Sequence, residues 1–321
     1  MNILITGASG FAGRHLIDHL KHTENQIWGT CFPERAEQLA SSLGKDFIHL
    51  DIREDKDVFK VVDRIRPDRV FHLAAVSNVR HSWGRPRETL LTNLIGTFHL
   101  FEAVKKHSPG ARILFTSSSD VYGKVFSPER ALREEDPTVA VNPYAYTKLC
   151  GEMMSTFYSR AEEMDVVVVR SFPHTGPGQS LDFVCSDWAS QIAGIEKRQL
   201  EPVLRVGNIE LKRDYSDVRD VVRAYALLME KGRSGEIYNV CSGTAVSLRE
   251  ILDILLSQSS QSISVQVDSQ KLRKADIPVL VGDNQKIRKE TEWMPLIPLE
   301  QSLRDLLHEW RSKQEEVSSK E

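Results

Sequence analysis

The chain has 321 residues, 40% hydrophobic and 27% charged, with a formal net charge of −3 at pH 7. This balance excludes a disordered or collagen-like chain, and it lacks the excess of clustered Lys and Arg that a nucleic-acid surface needs. At roughly 100–200 residues per domain, one large or two ordinary domains are expected, with a core that needs no disulfide staples.

In chain order, residues 3–5 read as a strand and 11–22 as a helix carrying Phe11, Leu16, Ile17 and Leu20 on one stripe. Strands are expected at 27–31, 47–50 and 70–73, and a long helix at 89–107 with apolar residues at helical spacing. A fifth strand is expected at 113–115 and a sixth at 166–169. Continuous apolar strands alternating with helices predict a doubly wound parallel sheet covered on both faces. After the Pro/Gly-rich "FPHTGPGQ" at 172–179, helical patterns near 183–197, 217–231 and 247–258 mix with short strands near 203–206 and 237–240. The expected division is a dinucleotide-binding domain over 1–170, to which part of 213–245 returns. A smaller α+β substrate-binding cap covers 171–312, and 313–321 is a polar tail.

No apolar run reaches the ~18 residues of a membrane span, and "MNILITGASG" has no basic segment ahead of an apolar run. The four cysteines, Cys31, Cys150, Cys185 and Cys241, lie far apart without metal-ligand spacing. A cytoplasmic protein with reduced thiols, bound to neither membrane nor nucleic acid, is expected. His15, His19 and His22 share a helix face, but no third-ligand motif accompanies them, so no metal is expected.

Gly7, Gly10 and Gly13 follow the first strand and open the first helix. Glycines there permit a tight turn and let a pyrophosphate approach the backbone at a helix N-terminus. The spacing is GxxGxxG rather than GxGxxG. A carboxylate at the end of the second strand would hold the ribose 2′-OH of NAD, but Thr30, Cys31 and Phe32 supply none. Glu34 lies beyond Pro33. Arg35 beside it is either a 2′-phosphate ligand or half of a surface pair with Glu34. NADP(H) is therefore favoured, with NAD(H) the alternative. Asp51 and Ile52, after the third strand, are candidates for the adenine end.

Asn142-Pro143 is a helix start, with Asn as N-cap and Pro at the first position. Tyr144 and Lys148 then stand four residues apart on one face. A neighbouring ammonium is expected to lower the phenol's pKa, so that the pair exchanges a proton with a carbonyl or alcohol oxygen. Lys148 can also bond the nicotinamide ribose. "FTSSSDVYG" at 115–123 places Ser118 at the end of the fifth strand, where it can donate to the substrate oxygen.

"TGASGFAG" at 6–13, "HLAA" at 72–75, "TNLIGT" at 92–97, "SSSDVYG" at 117–123, "PYAYTK" at 143–148, "GPGQS" at 176–180 and "RDYSDVRD" at 213–220 span most of the chain. Together they resemble the extended short-chain dehydrogenase/reductases, in the branch that modifies nucleotide sugars. The resemblance implies a Rossmann-type sheet and NAD(P)H-dependent reduction of the C4 ketone of a GDP-4-keto-6-deoxyhexose by a homodimer. Alternatives are a GDP-mannose 4,6-dehydratase, a sugar-nucleotide 4-epimerase, and a dinucleotide-binding sensor without turnover.

The resemblance also implies roles. Ser118, Tyr144 and Lys148 would be catalytic, with Asp120 beside them where dehydratases carry glutamate. The dinucleotide would lie against Gly7, Gly10, Phe11, Ala12 and Gly13, with Thr30, Arg35, Asp51, Ile52, Leu73, Ala74, Ala75 and Asn93 alongside. Tyr144 and Lys148 would face its nicotinamide end. Ser119, His174, Val206, Arg213, Arg273 and Asp276 would line the substrate, the arginines matching diphosphate contacts. One departure stands out: in "RSFPHTGPG", Pro173 occupies the place of a substrate-holding Asn, and His174 is the candidate substitute.

Overall fold

Ile3, Leu4 and Ile5 leave neither face of β1 (Asn2–Thr6) to water, and the strand lies inside a parallel sheet. The computed structural model describes residues 1–32, 47–123, 130–271 and 277–318. Along the sheet, β1 is joined by β2 (Gln26–Cys31), β3 (Phe47–His49), β4 (Arg69–His72), β5 (Arg112–Ser118) and β6 (Asp165–Ser171). Short strands follow: β7 (His174–Thr175), β8 (Val203–Val206), β9 (Lys212–Asp214) and β10 (Ser216–Asp217). The chain then returns to the sheet with β11 (Ile237–Val240). The spatial order is β3, β2, β1, β4, β5, β6, β11, with every neighbouring pair parallel. Strand order reverses between β1 and β4, and the crevice above their carboxyl ends is where such sheets bind ligands.

Alternation sends Ile3 and Ile5 to one face and Leu4 to the other. On the first face they pack with Leu16 and Val221 of the helices Phe11–Leu20 and Val218–Lys231. On the second, Leu4 packs with Val62 and Phe101 of the helices Asp55–Ile65 and Gly96–His107. A third core, with Trp188, Ile192, Leu255 and Leu303, joins the helices Val184–Glu196, Leu248–Ser257 and Leu299–Ser318 into the cap. In the cap β7 pairs with β10, β8 with β13 (Ser264–Val267), and β9 with β12 (Ala245–Ser247) and β14 (Val279–Leu280).

Three local differences from the sequence expectation have physical causes. β5 continues through its polar end because Thr116, Ser117 and Ser118 stay in register with Val169, Arg170 and Ser171 of β6. The expected single helix over 89–107 is three pieces: Pro86–Leu90, a π-turn at Leu91–Ile95, and Gly96–His107. Its wide turn carries Asn93, buried and pointing inward. The last helix runs on to Ser318, helped by an i,i+4 pair between Glu309 and Lys313. Among the described residues no helix is long and apolar enough to cross a membrane.

Candidate active site

The glycine turn sits at the mouth of the β1–β4 crevice. Gly7 has φ +68°, and a Cβ there would lie 2.7 Å from the backbone of Ala74, so only glycine lets the two loops approach. The turn is held by Ala8 N–H donating to Thr30 O at 2.9 Å and Gly10 N–H to Gly7 O at 2.9 Å. Leu73 and Ala74 are tied back to Thr6 at 3.2 and 3.3 Å, with Ala75 continuing that loop. The helix starting at Phe11, Ala12 and Gly13 has no side-chain cap and no acidic residue in its first turn. An uncapped N-terminus behind a glycine turn is a cradle for phosphate, so these residues fit a dinucleotide.

Just after β3, Arg53 grips the Asp51 carboxylate with bonds of 2.5 to 3.0 Å, and this holds Asp51 below the usual carboxylate range. The Arg53 guanidinium also lies 5.3 Å from the ring centre of Phe32, at the end of β2. Sequence reasoning did not single out Arg53. Ile52, expected at the cofactor, is buried with its side chain against Gly96, and its carbonyl is bonded to His99 at 3.2 Å. Arg35, with Glu34, lies outside the described residues, as do Arg273 and Asp276.

Asn93, expected at the cofactor, is bonded within the protein. Its Oδ1 accepts from Val76 N–H at 2.7 Å, and its Nδ2 donates to Val76 O at 3.1 Å and to Thr147 Oγ1 at 3.0 Å. With both ends of the amide engaged inside the protein, Asn93 braces the loop after β4 against the Tyr144 helix.

That helix, Pro143–Ala161, is capped by Asn142, whose Oδ1 accepts from Ala145 N–H at 2.8 Å. Gly151 lets it lie directly on Phe115 of β5. Tyr144 and Lys148 therefore project toward the end of β5, both buried. Lys148 Nζ donates to Thr116 O at 2.7 Å and stands 5.9 Å from the Tyr144 ring centre. Ser118 lies beside the Tyr144 phenol and accepts from Asp120 N–H at 3.2 Å. The three groups converge.

The electrostatics differ from the sequence expectation. Burial pushes the Tyr144 phenol above its ordinary value, the Asp120 carboxylate adds to the rise, and only the neighbouring Ser118 hydroxyl opposes it. Lys148 is bonded to Thr116 O rather than to the phenol and acts on it only as a charge, so burial dominates over the expected lowering. Burial also pushes Lys148 down to about 8, with the Glu152 carboxylate opposing. Tyr144 is thus held as a protonated phenol.

Behind the serines lies a buried ion pair that sequence reasoning missed. Arg170 Nη2 donates to Glu152 Oε2 at 2.8 Å and Nε to Oε1 at 3.0 Å, while Ser117 Oγ donates to Oε1 at 2.5 Å. Glu152 lies one helical turn beyond Lys148, the only local signal that marks it.

On the cap side, His174 stacks on Phe11, with ring centres 5.8 Å apart and planes 7° from parallel. Its Nδ1 is bonded to Phe172 O at 3.0 Å, and burial lowers its pKa, keeping the ring neutral. Arg14 and His15 bind Gly178 O and Pro177 O, each at 2.8 Å, so the proline-glycine segment is clamped onto the first helix. Pro173 contributes its carbonyl to Ser216 N–H at 3.0 Å. Arg213 is half-buried, with Nη1 donating to Lys212 O and Ile277 O at 2.8 and 2.7 Å. Ser119 is buried in the turn after β5. Val206, expected at the substrate, has its side chain buried in the cap core.

A phosphate-cradling glycine turn and a Ser-Tyr-Lys group at the carboxyl end of a parallel sheet define an NAD(P)-dependent enzyme of the extended short-chain dehydrogenase/reductase type. The family described as GDP-mannose 4,6 dehydratase matches residues 4–306, and the chain belongs to it. It is 34% identical over 312 residues to GDP-6-deoxy-D-mannose reductase from Pseudomonas aeruginosa, covering 97% of each chain. Among solved structures it is similar to RMD from Pseudomonas aeruginosa complexed with NADPH, with TM-score 0.86 and 32% identity over 97% of this chain and 99% of that one. Thermus thermophilus UDP-glucose 4-epimerase in complex with NAD gives the same TM-score of 0.86 at 25% identity, over 97% of this chain and 99% of that one.

Proposed function

We propose that the protein reduces the C4 ketone of a GDP-4-keto-6-deoxyhexose, giving a GDP-6-deoxyhexose such as GDP-D-rhamnose, with NADPH as the reductant. The observation that carries this reading is the buried Tyr144 phenol, held protonated beside Ser118 and Lys148 at the end of β5. A ketone being reduced needs a proton donor, and a phenol that keeps its proton supplies one. The similarity to a GDP-6-deoxy-D-mannose reductase supports the substrate class, and the NADPH bound to a similar structure supports the cofactor.

When bound, the nicotinamide supplies the hydride. Gly7 and Gly10 let the pyrophosphate approach, and the first turn at Phe11–Gly13 holds it on N–H groups of the helix N-terminus. Ser118 Oγ–H orients the C4 oxygen, and Tyr144 Oη–H transfers its proton to that oxygen as the C4–O bond becomes a single bond. Lys148, charged below about pH 8, stabilises the phenolate left behind and holds the ribose. Arg213 faces the diphosphate from the cap built on residues 171–312, and His174, next to the Pro173 that takes the place of a substrate-holding Asn, borders the sugar.

The same reading makes the protein a cytoplasmic homodimer. Leu91, Ile95 and Phe98 on one helical stretch and Tyr146, Met153 and Phe157 on the Tyr144 helix are exposed and apolar, and the two stretches pack side by side. A second copy laid across them would bury this face.

The test is incubation with GDP-4-keto-6-deoxymannose and NADPH, followed at the nicotinamide absorbance. Steady oxidation is expected. Consumption of GDP-mannose without added reductant would instead support a dehydratase, and interconversion of C4 epimers without net oxidation an epimerase.

A further inference from the structure

We propose that His72 is a positioning residue, a neutral ring protonated on Nε2 that sets the distance between the cofactor loop and Tyr144 through Thr97, Asn93 and Thr147. The inference deepens the reductase reading and rests on it for its kinetic consequence.

The residues form one continuous chain of hydrogen bonds. Ala74 N–H donates to Thr6 Oγ1 at 3.3 Å, and Thr6 Oγ1 meets His72 Nδ1 at 2.7 Å. His72 Nε2 meets Thr97 Oγ1 at 2.9 Å, and Thr97 Oγ1 donates to Asn93 O at 2.6 Å. Asn93 Nδ2 donates to Thr147 Oγ1 at 3.0 Å, and Thr147 Oγ1 donates to Tyr144 O at 2.8 Å. Thr6, His72, Asn93, Thr97 and Thr147 are each at most 2% exposed.

Proton counting fixes the direction. A threonine hydroxyl has one hydrogen. Thr97 gives its hydrogen to Asn93 O, so at His72 it can only accept, and Nε2 must carry the hydrogen. Nδ1 of a neutral ring is then a lone pair, and Thr6 donates to it. Every donor points the same way, from the loop after β4 to the first turn of the Tyr144 helix. The alternative tautomer would set two lone pairs facing each other between Nε2 and Thr97 Oγ1, and an imidazolium would point Nδ1–H at Thr6, which must then turn its own hydrogen away at a buried site.

His72 also anchors a second branch. Its carbonyl accepts from Thr116 Oγ1 at 2.8 Å, and the Thr116 carbonyl is the acceptor for Lys148 Nζ. Burial and the nearby Lys148 ammonium hold the ring neutral, with a pKa lowered to about 3. One residue on β4 thus ties the phosphate loop to both members of the Tyr-Lys pair. No water reaches these links to replace one that is lost.

Two measurements test this. In protein with ¹⁵N-labelled histidine, the His72 resonances should report a neutral Nε2–H ring, unchanged over roughly pH 5 to 8. An Nδ1–H tautomer, or titration in that range, overturns the proposal. Thr97→Val keeps the side-chain shape and removes the central link. It should lower kcat roughly 10- to 100-fold with the KM for NADPH nearly unchanged, and Thr97→Ser should restore the rate. Equal kcat in Thr97→Val and wild type overturns the proposal. With ¹³C at the Tyr144 ring carbon bearing the hydroxyl, the resonance should move in Thr97→Val and return in Thr97→Ser. An unmoved resonance overturns the proposal even where no substrate turns over. Failure of the wild type to oxidise NADPH sinks the reductase reading alone, because the histidine and tyrosine spectra do not depend on it.

Discussion

Lys148 Nζ donates a 2.7 Å hydrogen bond to the carbonyl oxygen of Thr116, not to the phenol four residues before it on the helix. The amine is fixed under the end of β5, 5.9 Å from the Tyr144 ring centre. At that separation the lysine acts on tyrosine through charge, and it does so only while protonated. Its own burial lowers its pKa to about 8.

A pH limb on activity follows. Turnover should fall as pH rises through about 8, because Lys148 loses the proton that stabilises the phenolate. In Lys148→Arg the charge persists at all accessible pH, and any residual activity should lack that limb. The kcat profile of the two proteins between roughly pH 6 and 10 is the check.

The same burial costs stability, with a definite sign. Below pH 8 Lys148 is charged in both folded and unfolded chains, and the folded chain carries the full penalty. As pH rises from about 8 toward the ordinary lysine value of 10.5, the penalty disappears. Lys148→Met should therefore be more stable than wild type at neutral pH, by up to roughly 3 kcal/mol at 1.36 kcal/mol per pKa unit, while nearly inactive. Denaturant midpoints should converge near the alkaline end. A variant less stable than wild type at pH 7 would contradict this.

The Glu152–Arg170 pair predicts the opposite response. Both side chains are about 5% exposed or less. Glu152→Ala would strand the guanidinium and leave Ser117 without its acceptor. Loss of one partner of such a pair costs about 3–5 kcal/mol. Urea unfolding should show a loss in that range, and a change below about 1 kcal/mol would mean water reaches the arginine.

Gly7→Ala tests the cradle. At φ +68° with the Ala74 backbone 2.7 Å from the added methyl, the turn and the loop after β4 must separate. Affinity for NADPH should fall by at least about tenfold, with a stability loss on the order of 1–3 kcal/mol. Titration of intrinsic fluorescence with NADPH measures the first and thermal melting the second.

Much of this architecture was legible from short-range pattern. Continuous apolar runs located the sheet strands, and the glycines, Asn142-Pro143 and the Tyr144–Lys148 spacing located the site, because each is a local signal. What depends on distant segments was not legible. The serines of β5 stay in the strand because β6 runs beside them, whereas hydrophobicity alone ends it at Phe115. The rise of the Tyr144 pKa comes from burial and from Asp120, neither readable from i,i+4 spacing. Arg53 meets Asp51 two residues away, but only the fold brings its guanidinium over Phe32. Val206 was assigned to the substrate on resemblance, although its place in an alternating strand of the cap marks it equally as core.

The most direct test of the central claim is a single-turnover experiment, with enzyme–NADPH complex mixed with GDP-4-keto-6-deoxymannose, for wild type and Tyr144→Phe. The account predicts that the variant binds NADPH as wild type does but oxidises it roughly 10²- to 10⁴-fold more slowly. A Tyr144→Phe rate within a few-fold of wild type would show that the proton reaches the sugar by another route.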